Sequence, residues 1–81
     1  MNEAEIASAL VAALGVAADR AAGARTGLVS VEISMLAPAR AGEVKAEITR
    51  KTRTLVFMGA DFTTDAGERI ASAASVHKVL G

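Results

Sequence analysis

Acid–base chemistry has few carriers in this sequence. Glu3 and Glu5 stand close to the N-terminus, Asp61 interrupts an otherwise apolar segment, and His77 is the single histidine, beside Lys78. A carboxylate can activate water as a general base, and a helix N-terminus can polarise a carbonyl. Glu3 and Glu5 equally fit a structural role, because a helix dipole favours negative charge in the first turn. Ser8 either orients a water or is merely tolerated inside a helix. Asp61 either faces a cleft or pairs with a base such as Arg50 or Lys45. His77 has no metal-ligand partner at a recognisable spacing, which points to a surface position or a subunit contact. Arg40, Arg50, Lys51 and Arg53 can hold phosphate, arginine through two parallel hydrogen bonds, and each also reads as a solvated turn residue. Nothing matches a phosphate-cradling glycine loop, a nucleophile elbow or a metal cluster, so no metal is expected.

These residues need elements to position them. Asn2 suits a helix N-cap, and the segment from about Glu3 to Ala22 reads as one helix closed by Gly23. Ile6, Leu10, Leu14 and Ala17 form one face, widened by Val11. The other side, Ala7, Ser8, Ala12 and Gly15, is small rather than charged, the mark of a buried helix. Gly15 weakens a helix interior by roughly 1 kcal/mol. Its expected use is close approach of the helix to the sheet over Ala71, Ala73 or Ala74.

Four alternating segments follow. In residues 28–35, Val29, Val31, Ile33 and Met35 oppose Ser30, Glu32 and Ser34. Pro38 breaks the chain before residues 43–51, where Val44, Ala46 and Ile48 oppose Glu43, Lys45, Glu47 and Thr49. Residues 54–63 are apolar on both faces, which predicts a central strand covered on two sides. Asp65-Ala66-Gly67 supplies turn chemistry before residues 68–79. There Ile70, Ser72, Ala74 and Val76 alternate with Ala71, Ala73, Ser75 and His77. The expected architecture is α+β, one long helix packed on a four-stranded antiparallel sheet.

Composition narrows the function. With 81 residues the chain reads as a single domain, 1–81, and a small one with modest burial. Hydrophobic residues make up 52% and aromatics 2%, so the core is built from small side chains and subunit contacts are expected to add stability. Nine basic and nine acidic residues cancel, so no broad basic field awaits nucleic acid. The longest apolar run, Ile6 to Ala18, falls short of the roughly 20 residues that cross a bilayer. Acidic residues stand where a signal peptide carries basic ones, which predicts a cytoplasmic protein without membrane partners. No cysteine is present for a disulfide.

One passage carries a resemblance. Leu36-Ala37-Pro38-Ala39, followed by Gly42, resembles the Leu-Arg-Pro-Ala strand ending of hotdog-fold acyl-CoA thioesterases, the phenylacetate-pathway type among them, with Ala37 in place of arginine. The basic turn Lys51-Thr52-Arg53 and the turn Asp65-Ala66-Gly67 before the last strand are similar to that family as well. The resemblance implies a hotdog fold whose strand 28–35 pairs with its twin in a homodimer or tetramer. It implies an acyl-CoA ligand held at Arg40, Arg50 or Arg53, and no other cofactor. Such domains usually begin with a further strand and a His-Gly-Gly-like loop, and this sequence starts at the helix. Their catalytic carboxylate maps between Ala9 and Ala13, where no acid stands. Glu3, Glu5 or Asp61 would then act as a displaced base on a small or aromatic acyl-CoA. The competing expectation is a non-catalytic acyl-CoA-binding or oligomerisation module.

Overall fold

A computed structural model describes all residues, Met1–Gly81. The elements in chain order are α1 (Glu3–Ala22), β1 (Thr26–Met35), β2 (Glu43–Lys51), β3 (Leu55–Thr63) and β4 (Arg69–Val79). All strand pairs are antiparallel, in the order β1-β4-β3-β2, so β1 and β2 are the two edges. The Leu36–Gly42 connection carries the chain from one edge to the other. Its start is pinned where the Leu36 and Ala37 amides both donate to the Ile70 carbonyl, at 2.8 and 3.2 Å. The helix lies on one face of this sheet and touches every strand.

Helix ends follow from local chemistry. The Asn2 side chain accepts from the Glu5 amide at 2.8 Å, and the Asn2 amide donates to the Glu5 carboxylate at 3.0 Å. This reciprocal pair satisfies two orphan donors of the first turn. Gly23 closes the helix in the left-handed region at φ 65°, with its amide on the Arg20 carbonyl. Asp19 then accepts from both the amide and the hydroxyl of Thr26, at 2.8 and 2.6 Å. That clamp turns the chain sharply into β1.

The core is one apolar stripe against two strands. Ile6, Leu10, Leu14 and Ala18 are fully buried, and they meet Val56, Met58, Ala60 and Phe62 of β3 and Ala71 and Ala73 of β4. Full burial of an aliphatic side chain contributes about 1.5–3 kcal/mol. Ala18 rather than Ala17 completes the stripe, as a 3.6-residue period favours.

Several sequence expectations change. The small side of α1 is open, with Ser8, Val11, Ala12 and Val16 exposed, so the helix is buried on one face only. Gly15 does not touch the sheet. A side chain added there meets nothing within 4 Å, so close approach is not its role. A bulge between Leu28 and Ser30 throws Val29 outward, leaving Val31, Ile33 and Met35 facing the helix. A second irregularity beside Thr63 lets Ile70 be buried together with Ala71. β3 is central, but α1 covers only one of its faces; Leu55, Phe57, Gly59 and Asp61 on the other are half-buried.

Two glycine substitutions should move stability in opposite directions. Gly15→Ala is expected to stabilise the fold by about 0.8–1 kcal/mol through helix propensity alone. A Cβ at Gly42 would overlap the Thr63 carbonyl, so Gly42→Ala should destabilise by roughly 1–3 kcal/mol, the usual range for overpacking. Urea denaturation of both variants measures this; equal midpoints would refute it.

Candidate functional site

The largest concavity is a groove of about 710 Å³ between α1 and β2. One wall is the flank of the helix, Ala9, Ala12, Ala13, Val16 and Ala17. The floor is Val44, Ala46 and Ile48, the inward set of β2, with Met58 of β3 behind. Small helical side chains leave space that larger ones would fill. The helix runs parallel to β2, because each reversal of direction between α1 and β2 is matched by another. Arg20 and Glu47 are the only charged groups lining the groove. The segment from Ala9 to Ala13, where the resemblance places an acid, contributes three alanines to this wall.

The residues proposed from sequence fall in different places. Glu3 and Glu5 lie on the exposed first turn, beyond the groove, and Glu5 has one oxygen engaged by the Asn2 amide. Arg40 is at the same end of the molecule and pairs with Glu68. Asp61 projects from the sheet face away from α1. Its ion-pair partner is Arg69 at 3.3 Å, not Arg50 or Lys45. Arg69 enters β4 three positions before Ser72, the register partner of Asp61, and the irregularity beside Thr63 sets it opposite Thr63. Arg50 and Arg53 stand together at the opposite end, around the β2–β3 turn, and the Arg50 guanidinium sits 5.9 Å over the Phe57 ring. Arg40 is separated from them by the length of β2, roughly 30 Å at 3.3 Å per residue. Arg20 and the upper end of the groove lie toward Arg50 and Arg53. Alternation identified the inward residues of β2, but nothing in the sequence announced that Arg20 and Glu47 would share a groove.

His77 is not at the surface. It is 2% exposed, faces the helix from β4, and shares a 2.8 Å hydrogen bond between Nε2 and the buried Ser75 hydroxyl. Burial pushes its pKa below the usual histidine value, opposed by the negative charge of Asp19. The Asp19 carboxyl is itself held below its ordinary value, first by the Thr26 hydroxyl and then by the Thr26 amide. An apolar stripe hides this pair from sequence reading, since a two-residue spacing looks like any strand alternation. No group of three or more His, Cys, Asp or Glu side chains converges on a common point for a metal. No helix is long and apolar enough to cross a membrane.

No family model matches the chain, and no curated protein matches its sequence. Solved structures do. A Bacillus halodurans protein crystallised with CoA superposes with a TM-score of 0.86 at 21% identity, over 95% of this chain and 54% of its own. A Streptococcus mutans protein bound to acetyl-CoA gives 0.87 at 16% identity, over 98% and 65%. An acyl-CoA hydrolase from Agrobacterium tumefaciens gives 0.79 at 25% identity, over 99% and 36%. Such neighbours are hotdog-fold proteins of the thioesterase superfamily, and the chain has the hotdog fold. It spans little more than half the length of the Bacillus protein.

The buried histidine makes stability depend on pH. Because the folded-state pKa lies below the unfolded one, the fold binds fewer protons near that range. Stability should be full above about pH 6.5, the unfolded value, and fall as pH drops below it. The Asp19 contribution persists until pH falls through the still lower carboxylate range. Denaturation midpoints from pH 8 to 5 should therefore decline for the native chain. His77→Gln should flatten that decline, and an unchanged slope would refute the assignment.

Proposed function

We propose that this chain binds a small or aromatic acyl thioester of coenzyme A, with the acyl group in the groove between α1 and β2. The observation that carries the reading is the groove itself, apolar along its floor and helix wall, with Arg20 as its one cationic group. Apolar clefts with a few placed polar groups are the usual form of small-molecule sites. Arg20, with Arg53 at the β2–β3 turn, would take the phosphates of the coenzyme; Arg50 lies over Phe57 on the far face of the sheet, and Arg40, at the other end of β2 and paired with Glu68, would take no part in the same contact. Solved neighbours with CoA or acetyl-CoA bound support this class of ligand.

Hydrolysis is the weaker half of the reading. The helix wall offers alanine where a general base is needed, and a base is typically worth about 10²- to 10⁴-fold in rate. We assign any residual thioesterase activity to Glu3 or Glu5, at the helix N-terminus, with Asp61 third because it faces the other side of the sheet. The protein is thus a thioesterase-like binder of low turnover, located in the cytoplasm and assembled as a homodimer or tetramer through β1. The exposed Leu28 and Val29 on that edge favour such a contact. Fold likeness alone does not establish activity.

Titration calorimetry with acetyl-CoA, benzoyl-CoA and free CoA tests the binding. The acyl forms should bind more tightly than free CoA. Val16→Glu, which places a charge on the groove wall against the bound acyl group, should weaken the acyl forms and leave free CoA unaffected. Equal affinities for all ligands, unchanged by Val16→Glu, would remove the acyl group from the groove. Release of free thiol should be slow and disappear in a Glu3→Ala, Glu5→Ala double variant. Fast release that survives this change would place the chemistry elsewhere.

A further inference from the structure

His77 and Asp19 meet where α1 gives way to β1. Thr26 opens β1 opposite Val79, and Leu28 stands opposite His77. Thr26 and His77 are therefore diagonal neighbours on the side of the sheet that faces the helix, about 7–8 Å apart. The Asp19 carboxylate reaches the same place from the end of α1. One of its oxygens holds Thr26 twice, accepting from the hydroxyl at 2.6 Å and from the amide at 2.8 Å. The other oxygen takes no hydrogen bond in the chain. The carboxylate is near enough for its charge to act on His77.

The ring of His77 is served only while it is neutral. His77 is 2% exposed and Ser75 4%. The Ser75 hydroxyl lies 2.8 Å from Nε2, and Nδ1 takes no hydrogen bond. With its proton on Nε2, the neutral ring donates to Ser75 and leaves Nδ1 bare. An imidazolium donates at both nitrogens. Ser75 can accept only one of those protons, and a buried charge without a partner is costly. Protons reach Nδ1, because no side-chain nitrogen or oxygen sealed from solvent lacks a partner. The surroundings offer one counter-charge. Leu28 of β1 and Val56 of β3, the two register partners of His77, are apolar. Lys51 of β2 stands beyond Val56, and Lys78 projects to the other face of the sheet. Arg25 in the α1–β1 turn acts on Asp19, and Arg20 lines the groove. Asp19 is the acid of this end.

We infer that protonation of His77 draws the Asp19 carboxylate from Thr26 to His77 Nδ1 and so releases the turn between α1 and β1 in acid. Thr26 and His77 compete for one carboxylate, and the proton decides which of them holds it. Below the histidine range the start of β1 loosens just ahead of the exposed Leu28 and Val29, while the Ser75 contact keeps the ring in place. The device lies between the helix and the central strand β4, so it rests neither on the groove nor on the proposed thioester ligand.

Nuclear magnetic resonance of the whole chain from pH 8 to 5 tests the coupling. The Thr26 amide proton should shift with the same midpoint as the His77 ring. Protonation of Asp19 itself would act only in the carboxylate range, at about pH 4 or below. In His77→Gln the Thr26 signal should stay constant down to pH 5. Thr26→Val removes the competing hydroxyl and should raise the His77 midpoint. Asp19→Asn removes the charge but keeps an oxygen for the Thr26 amide, and should lower that midpoint. A Thr26 amide that ignores the titration of His77 would overturn the inference, and is the result expected if a water molecule serves Nδ1 instead. So would a Thr26 shift that persists in His77→Gln, or one accompanied equally by Ala60 in β3, which marks unfolding of the whole chain. Should His77→Gln fail to fold, the opposite shifts in the other two variants decide; an unmoved His77 midpoint in both overturns the coupling.

Discussion

The fold depends on burial of a single helical stripe. Ile6, Leu10, Leu14 and Ala18 are withdrawn completely from solvent, and no other element supplies an apolar layer to the sheet. Only 13 of 81 residues are buried, so there is little redundancy in this core. The sheet can wrap the helix because the residues beneath it are small. Ala60, Ala71 and Ala73 let backbone approach backbone, and the larger Phe62 and Ile70 fill the end of the sheet near the helix N-terminus. The helix is fixed at both ends as well, by the Asn2–Glu5 capping pair and by Asp19 on Thr26. A helix so held can act as the rigid wall of a groove.

The same economy of side chains shapes the site. Alanine at positions 9, 12 and 13 opens space beside β2, and the identical choice removes any acid from that wall. The same alanines that open the groove leave its helix wall without an acid. Glu3 and Glu5 keep the negative charge that a helix N-terminus favours, but they stand outside the groove. The arginines split in a comparable way. Arg50 and Arg53 share the end toward which the groove runs, whereas Arg40 is bound to Glu68 at the other.

Both free edges of the sheet follow from its strand order. A chain that places its first strand next to its last leaves β1 and β2 outermost. The β1 edge has a bulge and two exposed apolar side chains, and the β2 edge has alternating charges. These are different chemical surfaces on opposite sides of one small domain.

The sequence by itself determined the kinds of element and which side of the Glu43–Lys51 strand would be apolar. Period-two alternation in Glu43–Lys51 and Leu55–Thr63 and a capped apolar helix are local properties, and local sterics enforce them. That was enough to give the helix-on-sheet architecture. Tertiary structure decided what alternation cannot encode. Bulges shifted Val29 outward and drew Ile70 inward, because pairing register depends on the neighbouring strand. Strand order gave Asp61 the partner Arg69 in place of Lys45 or Arg50. Packing against α1 buried His77, since Ser75 supplied a hydrogen bond that compensates its polar ring. Helix crossing left Gly15 and Val16 open, because the flank of a helix is covered only if another element reaches it. The groove exists for the same reason: it is the space between two elements, and no single stretch of sequence contains it.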